Sequence, residues 1–235
     1  TTLAGKISES LASHITDIAF DAADSLKNEE GGDDLERLRV KRLQVSGGLT
    51  SDSRLVNGLM LAKTRIDKST PSSSDGGIIA ILDGGLENAK LEMDAEIEVS
   101  SPGVLKGFHD RSLDKLREEI GHLLSLGVEL LIVREGISDE AISILSEAGI
   151  TSYRRFERED LERLSRITGT RMVRGPTRIS EDDLGRFTSR REETVAGITH
   201  CVIEGSEGGA LTVVIRGTSP QIRDEAERAF DDAMG

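Results

Sequence analysis

The chain has 235 residues, enough for one large domain or two modest ones with a real core, and its 36% hydrophobic content falls in periodic segments that a disordered chain of this charge lacks. With 43 acidic against 30 basic residues the formal net charge is −13, which repels a phosphate backbone and removes nucleic acid from the expected partners. Cys201 is the only cysteine, so there is no internal disulfide or cysteine metal cluster, and no apolar run reaches the roughly 20 residues of a membrane span. These features describe a cytoplasmic protein with no membrane partner. Arginine outnumbers lysine within the acidic surplus, the pattern of proteins that stay soluble in high salt, and this points to a halophilic source.

In chain order, Ile7, Leu11, Ile15, Ile18, Ala22 and Leu26 recur at helical spacing and predict a helix of about five turns with one apolar stripe. Residues 28–34 break that pattern with two glycines and four acids, an exposed connector. Leu38, Val40, Leu43 and Val45 predict a strand with irregular alternation, closed by Gly47-Gly48. After a serine-rich loop at 69–74, Ile78 to Leu82 is a short buried strand, and Met93 to Val99 predicts another. A turn at Ser101-Pro102-Gly103 precedes a long helix from about Ser112, with Leu113, Leu116, Ile120 and Leu123 inward and Gly127 as its stop.

Between Val128 and Val173 strands and helices alternate. Val128 to Val133 is a strand, Ser138 caps a helix to Ala148, Ile150 to Arg154 is a strand, Asp160 to Ile167 is a helix, and Arg171 to Val173 opens another strand. Alternation of this kind predicts an α/β core of parallel strands with right-handed crossovers. The last segment reads as a hairpin, Val195 to Glu204 and Leu211 to Arg216 about a glycine-rich turn at 205–209, followed by a helix from Pro220 to Met234. The two ends of the chain are expected to pair into a small second domain interrupted by the α/β core, with crossings near Leu59 and near Pro176.

Several of these residues carry a resemblance. Gly47-Gly48-Leu49-Thr50-Ser51-Asp52-Ser53-Arg54-Leu55-Val56-Asn57-Gly58 resembles the hinge of group II chaperonins of the thermosome type. Met93-Asp94-Ala95-Glu96-Ile97, Gly136-Ile137-Ser138-Asp139, Tyr153-Arg154-Arg155, Leu161-Glu162-Arg163-Leu164 with Thr168-Gly169, and Glu181-Asp182-Asp183-Leu184-Gly185 are similar to landmarks of the family's apical domain, in the same order. Ile215-Arg216-Gly217-Thr218 followed by Asp224-Glu225-Ala226-Glu227-Arg228-Ala229 is the most specific match. The helix after Gly136 departs from the family pattern in carrying Ile142, Ser143 and Ser146, which suggests a divergent paralogue.

The resemblance implies an apical domain with a helical lid protrusion inserted into a small α+β intermediate domain. Residues 1–58 would form the first part of the intermediate domain, 59–175 the apical domain with its lid at about 100–113, and 176–235 the return. It also implies that the ATP-binding equatorial domain is absent and that the chain is a piece of a longer one. The function implied is that of a molecular chaperone, the substrate-binding and lid half of an ATP-dependent folding machine built as a double ring. Non-native polypeptides and other subunits are the expected partners, with ATP and Mg2+ as cofactors of the full-length parent and none in this piece.

Within that frame Asp232 matches the aspartate that positions the attacking water, a role a carboxylate suits because it accepts the water's hydrogen bond. By residue type alone it would be a solvated acid in a last helical turn. Val104, Leu105 and Phe108 on the protrusion, and Ile142, Ser143 and Ser146 outside the buried stripe of their helix, are the candidate substrate contacts; core packing and scattered surface residues are the plain alternatives. Gly47, Gly48, Gly58 and Gly217 are the candidate hinge. No metal site is expected, since His14, His109, His122 and His200 lie far apart in sequence. Cys201 reads as a small buried apolar residue, and Arg154-Arg155 as salt-bridged surface. The competing reading is a small α/β protein binding a metabolite or nucleotide at its strand ends, for which the Val133-Arg134-Glu135-Gly136 turn is poorly suited. A non-enzymatic interaction module on the same fold is a third.

Overall fold

In a computed structural model the described residues are 2–26, 40–87, 102–207 and 210–234, and the side chains of 2–12, 102–106 and 108 are outside the description. The chain divides into two compact units, one built from Thr1–Thr64 with Thr188–Gly235 and the other from Arg65–Phe187. The expected connector at 28–34 and the expected strand at Met93 to Val99 lie outside the described residues.

The split unit is organised around one strand. Strand β11 (Leu211–Gly217) runs parallel to β1 (Val40–Ser46) in unbroken register from Val40↔Leu211 to Ser46↔Gly217, and antiparallel to β2 (Arg54–Asn57). Its sequence, LTVVIRG, is buried almost throughout because both faces are covered. Leu211, Val213 and Ile215 meet α1 (Thr2–Leu26) and α5 (Pro220–Met234) in a cluster with Ile15, Ile18, Ala22 and Phe230. Val214 turns the other way, into a cluster with Val45, Val56, Met60 and Val202.

The same two-sided burial accounts for the irregular alternation seen in β1. Val40 faces the helices and Leu43 and Val45 face away, with no break in register. In the remaining ladder of this unit β3 (Leu59–Leu61) pairs antiparallel with β10 (Ile198–Gly205), which also pairs with β9 (Gly185–Val195).

The expected β10–β11 hairpin is not formed: β10 pairs with β3 and β9, and β11 with β1 and β2. The hairpin is β9–β10, closed by Ala196 and Gly197 at φ 52° and 79°. Two successive left-handed residues are what a two-residue turn matching the strand twist requires, and alanine is a poor residue for the first of them. In the sequence the glycine-rich stretch after β10 carries the stronger turn signal and the Ala-Gly pair little.

The inserted unit matches the α/β expectation closely. Parallel strands β5 (Gly77–Leu82), β6 (Val128–Val133) and β7 (Thr151–Tyr153) lie in that order, with β8 (Met172–Val173) parallel on the other side of β5 and the start of β9 antiparallel beside Gly77–Ile79; the two-residue β4 (Ser73–Ser74) also pairs with β9. Helices α2 (Pro102–Ser125) and α3 (Asp139–Glu147) join strands stepping one way, and α4 (Arg158–Thr168) joins the step back from β7 to β8. Right-handed crossovers then put α4 on the opposite face from α2 and α3.

The burial follows that layout. Ala80, Leu82, Leu131 and Val133 share a core with Leu116, Ile120, Leu123, Ala141 and Leu145 of the first two helices, while α4 packs against β5 and β8. Ser138 caps α3, its hydroxyl accepting the Ala141 N–H at 3.3 Å.

Two expectations change here. Helix α2 begins at Pro102 rather than near Ser112, so residues 102–113 are continuous with the rest of it. Proline is suited to a first helical position. The compact units meet at Thr64/Arg65 and Phe187/Thr188, later than Leu59 and Pro176. Residues 176–187 stay with the α/β unit because Ile179 enters its core, its carbonyl accepts a hydrogen bond from the His122 ring at 2.8 Å, and Phe187 pairs with Gly77.

Replacing Ala196 by Asn should relieve the left-handed alanine and raise the thermal midpoint, with a gain of about 0.5–1 kcal/mol in denaturant unfolding. An unchanged or lowered midpoint would contradict the turn assignment.

Candidate functional site

The four candidate hinge glycines fall in two places, both in the split unit. Gly47 and Gly48 follow β1 with φ of 81° and 80°, and the Gly47 N–H donates to the Gly217 carbonyl at 3.1 Å, so three of the four close one end of the β1–β11 ladder. Two arginines hold this end. Arg216 donates its backbone N–H to Ser53 Oγ at 2.9 Å and its Nε to the Gly47 carbonyl at 2.8 Å, and Arg223 of α5 donates Nη1 to the Gly217 carbonyl at 3.0 Å. Asp52 Oδ2 accepts the Leu49 N–H at 2.7 Å, and the His14 ring donates to the Ser53 carbonyl at 2.9 Å. A Cβ added to Gly48 would stand 2.7 Å from Arg216 Nη2.

Gly58 forms the kink between β2 and β3. Its φ is 96°, and a Cβ there would lie 2.6 Å from the Ile203 carbonyl, a backbone atom that cannot swing away. Thr212, fully buried, stitches the kink: its hydroxyl donates to the Gly58 carbonyl at 2.9 Å and accepts the Met60 N–H at 2.9 Å.

Asp232 is exposed near the end of α5, opposite the face on which Ala226 and Phe230 are buried. Its neighbour Asp231 is engaged by Arg42, with Nη2 and Nε at 2.6 and 2.9 Å, and the Arg42 guanidinium lies 5.6 Å from the Phe230 ring centroid. Gln44, on the same face of β1, donates to Asp224 at 3.0 Å and Glu227 at 2.6 Å. Strand β1 thus fixes the rotation of α5 and leaves the Asp232 carboxylate open to solvent.

The candidate contacts on α3 separate. Ser143 is exposed. Ile142 is half-buried and packs against the main core, so it is not the exposed isoleucine the helical stripe suggested; a nine-residue helix lying on a sheet buries more than one stripe. Ser146 is occupied, its Oγ lying 2.8 Å from Ser69 Oγ. The backbone of Val104, Leu105 and Phe108 is in the first turns of α2, and their side chains lie outside the described residues.

Two carboxyls on turns are held below the ordinary carboxylate range. Asp67 is lowered first by hydrogen bonding to Ser146 and then by the Ser69 N–H and hydroxyl, and Asp183 by the Ser180 hydroxyl and N–H. Cys201 is fully buried, and burial, with the nearby Glu192 charge, pushes its thiol up to about 12. It is therefore a packed thiol and not a nucleophile.

The carboxyl ends of the parallel strands, where a nucleotide would sit in many α/β folds, are closed by their own loops. The Asp83 N–H donates to the Val173 carbonyl at 2.9 Å, Arg134 N–H to Leu82 at 3.0 Å, Glu135 N–H to Gly84 at 3.0 Å, and Arg155 N–H to Glu135 at 3.1 Å. Arg134 Nε pairs with Asp83 at 3.0 Å, and Arg154 Nη1 is spent on the Ile137 carbonyl at 3.1 Å. These donors are turned inward onto neighbouring loops. Among the described residues no group of three His, Cys, Asp or Glu side chains is placed to hold a metal ion, and no helix is long and apolar enough to cross a membrane.

Sequence reading missed Arg216, Arg223 and Thr212, which hold the glycine positions, and the Asp67–Ser69–Ser146 cluster. Arg216 sat inside a recognised motif, but nothing in the spacing says that it reaches back to Gly47 across 169 positions.

The geometry describes an α/β unit inserted into a smaller α+β unit whose distant ends are joined by one strand. A model described as the TCP-1/cpn60 chaperonin family matches residues 1–235, and the chain belongs to that family. It is 34% identical over 236 residues to thermosome subunit 1 of Haloferax volcanii, 31% identical over 239 residues to a thermosome subunit of Methanopyrus kandleri, and 30% identical over 236 residues to thermosome subunit alpha of Halobacterium salinarum. Each match covers 100% of this chain and 42%, 44% and 42% of the relative, so the chain spans less than half the length of the curated relatives it matches. The fold is like that of an open-state monomer of a group II chaperonin from Methanococcoides burtonii, with a TM-score of 0.74 at 21% identity over 100% of this chain and 52% of that one.

Gly58→Ala should cost about 2 kcal/mol or more, read as a lower denaturant midpoint at unchanged slope, because a left-handed alanine meets a backbone carbonyl there. The lowered Asp67 and Asp183 groups contribute stability that is present above the ordinary carboxylate range and lost as pH falls through their folded values. The acid limb of a stability profile, taken from about pH 5 to about pH 2, should therefore flatten in Asp67→Asn and Asp183→Asn; an unaltered limb would refute this assignment.

Proposed function

We propose that the chain is the polypeptide-handling portion of a thermosome-type, group II chaperonin subunit. The observation that carries this is the family match over residues 1–235, joined to an architecture in which one α/β unit interrupts a second. In this reading residues 65–187 are the apical domain, the first half of α2 belongs to the lid protrusion, and the split unit is the intermediate domain. In the same reading the equatorial domain of the longer protein brings the ATP and Mg2+ site. Gly47, Gly48, Gly58 and Gly217 serve as its hinge elements. Non-native polypeptides, other subunits of a double ring and a cytoplasmic location complete the assignment. The alternative of a metabolite-binding protein is disfavoured by the inward-turned donors at the strand ends.

Asp232 is assigned to ATP hydrolysis in the full-length protein, where a solvent-facing carboxylate on a helix held by Arg42 and Gln44 has the rigidity that positioning a water requires. Asp232→Ala in the full-length protein should reduce ATP turnover by at least about 100-fold while nucleotide binding and thermal stability are kept. Turnover within twofold of wild type would remove the assignment. The substrate half is tested by light scattering: the 235-residue chain should slow aggregation of a chemically unfolded protein at stoichiometric ratio, and no effect would count against it.

A further inference from the structure

Among the described residues strand β7 is the outer strand of the inserted unit's sheet. Its inner side pairs with β6 through Leu130↔Thr151, Leu131↔Ser152 and Ile132↔Tyr153. An outer strand offers backbone groups to any added strand, and proteins cover such edges. Here the cover is a strap, residues 65–70. The Ile66 N–H donates to the Ser152 carbonyl at 3.0 Å, and the Ile66 side chain packs against the main core. The strap thus places one extended backbone donor and one branched apolar side chain where an added strand would lie.

Its fastenings are polar; Ser69 is exposed, Arg65 and Asp67 are half-buried, and Thr70 is buried. Within the strap, Arg65 Nε donates to the Thr70 carbonyl at 3.0 Å, Thr70 Oγ1 to the Asp67 carbonyl at 2.7 Å, and the Ser69 N–H to Asp67 Oδ1 at 2.8 Å. Two contacts tie it to Ser146 of the neighbouring helix: Ser69 Oγ lies 2.8 Å from Ser146 Oγ, and the Ser146 hydroxyl bonds the Asp67 carboxylate. One turn before Ser146, Ile142 is the half-buried apolar residue of the same helix face. Hydrogen bonds of this kind in water are individually weak, so the cover is removable without unfolding what lies beneath it.

We infer that residues 65–70 are a displaceable strap occupying the edge of β7, and that an extended segment of a non-native polypeptide takes its place, pairing with Ser152 and seating an apolar side chain where Ile66 now sits. Strand addition supplies sequence-independent backbone pairing and one apolar pocket, which suits a partner defined only by being unfolded. Ser146 and Asp67 act as the fastener that sets how often the edge is offered. The inference rests on the polypeptide-handling reading above and names the edge and the mode of contact.

The test uses the full-length protein carrying Ser69→Cys with Ser146→Cys, whose hydroxyl oxygens stand close enough for the replacement sulfurs to join, and reduced, carboxymethylated α-lactalbumin as the unfolded probe. Closure is verified by mass spectrometry of the linked peptides. Oxidation should weaken capture of the probe roughly tenfold relative to the same protein under reductant, and Ser146→Ala should strengthen it. Added probe should also speed amide exchange at Ile66 while β6 amides keep their protection. Equal capture by the oxidised and reduced forms, or unchanged exchange at Ile66, overturns the strap alone. Capture by no form, wild type included, overturns both the strap and the polypeptide-handling reading.

Discussion

The split unit depends on β11 taking its place between β1 and β2. That placement joins segments more than 160 residues apart along an unbroken seven-residue register, and it buries the central strand on both faces at once. Everything between Arg65 and Phe187 must then fold as a closed excursion whose ends return to one small unit. Loop-closure entropy grows only slowly with length, so a large insertion is tolerable, provided it builds its own core. The α/β unit does so, with a cluster running from Ala80 through Leu131 to Leu145 that, among the described residues, draws on its own segment.

Glycine and arginine act together at the ends of that central strand. Where β1 and β11 stop, the turn uses left-handed glycines to reverse closely; the Arg216 guanidinium donates to the Gly47 carbonyl, and Arg223 adds a second donor to the Gly217 carbonyl that the Gly47 N–H already reaches. At the other crossing, Gly58 lets β2 run into β3 within a single residue because its missing Cβ gives the Ile203 carbonyl room. Motion localised at these positions would need to break named hydrogen bonds, which gives the idea of a hinge in this family member definite physical content.

The functional surfaces follow from what the sheets leave over. In the split unit, β1 spends Arg42 and Gln44 on the acids of α5 and so leaves Asp232 facing solvent from a rigid helix. In the inserted unit, the loops at the strand ends satisfy one another, which moves attention away from the crevice where α/β proteins commonly bind ligands and toward the sheet's outer edge and α3.

By itself the sequence determined the elements whose signals are local. The strand-helix alternation from Val128 to Val173 was legible because each element carries its own period, cap or closing glycine, and the parallel direction of the strands follows from that alternation. Burial of the long helix along Leu116, Ile120 and Leu123, and the residue motifs that resemble the chaperonin family, were legible for the same reason. Only the tertiary structure decided the pairings. β10 and β11 look like hairpin partners, yet β11 is apolar enough to be covered on both faces and is claimed by β1 and β2, while the true hairpin turns on an Ala-Gly pair that carries little turn signal. The half-burial of Ile142, the reach of Arg216 to Gly47 and the strap on Ser146 depend on which surfaces meet after folding, and residue spacing along one chain holds no information about that.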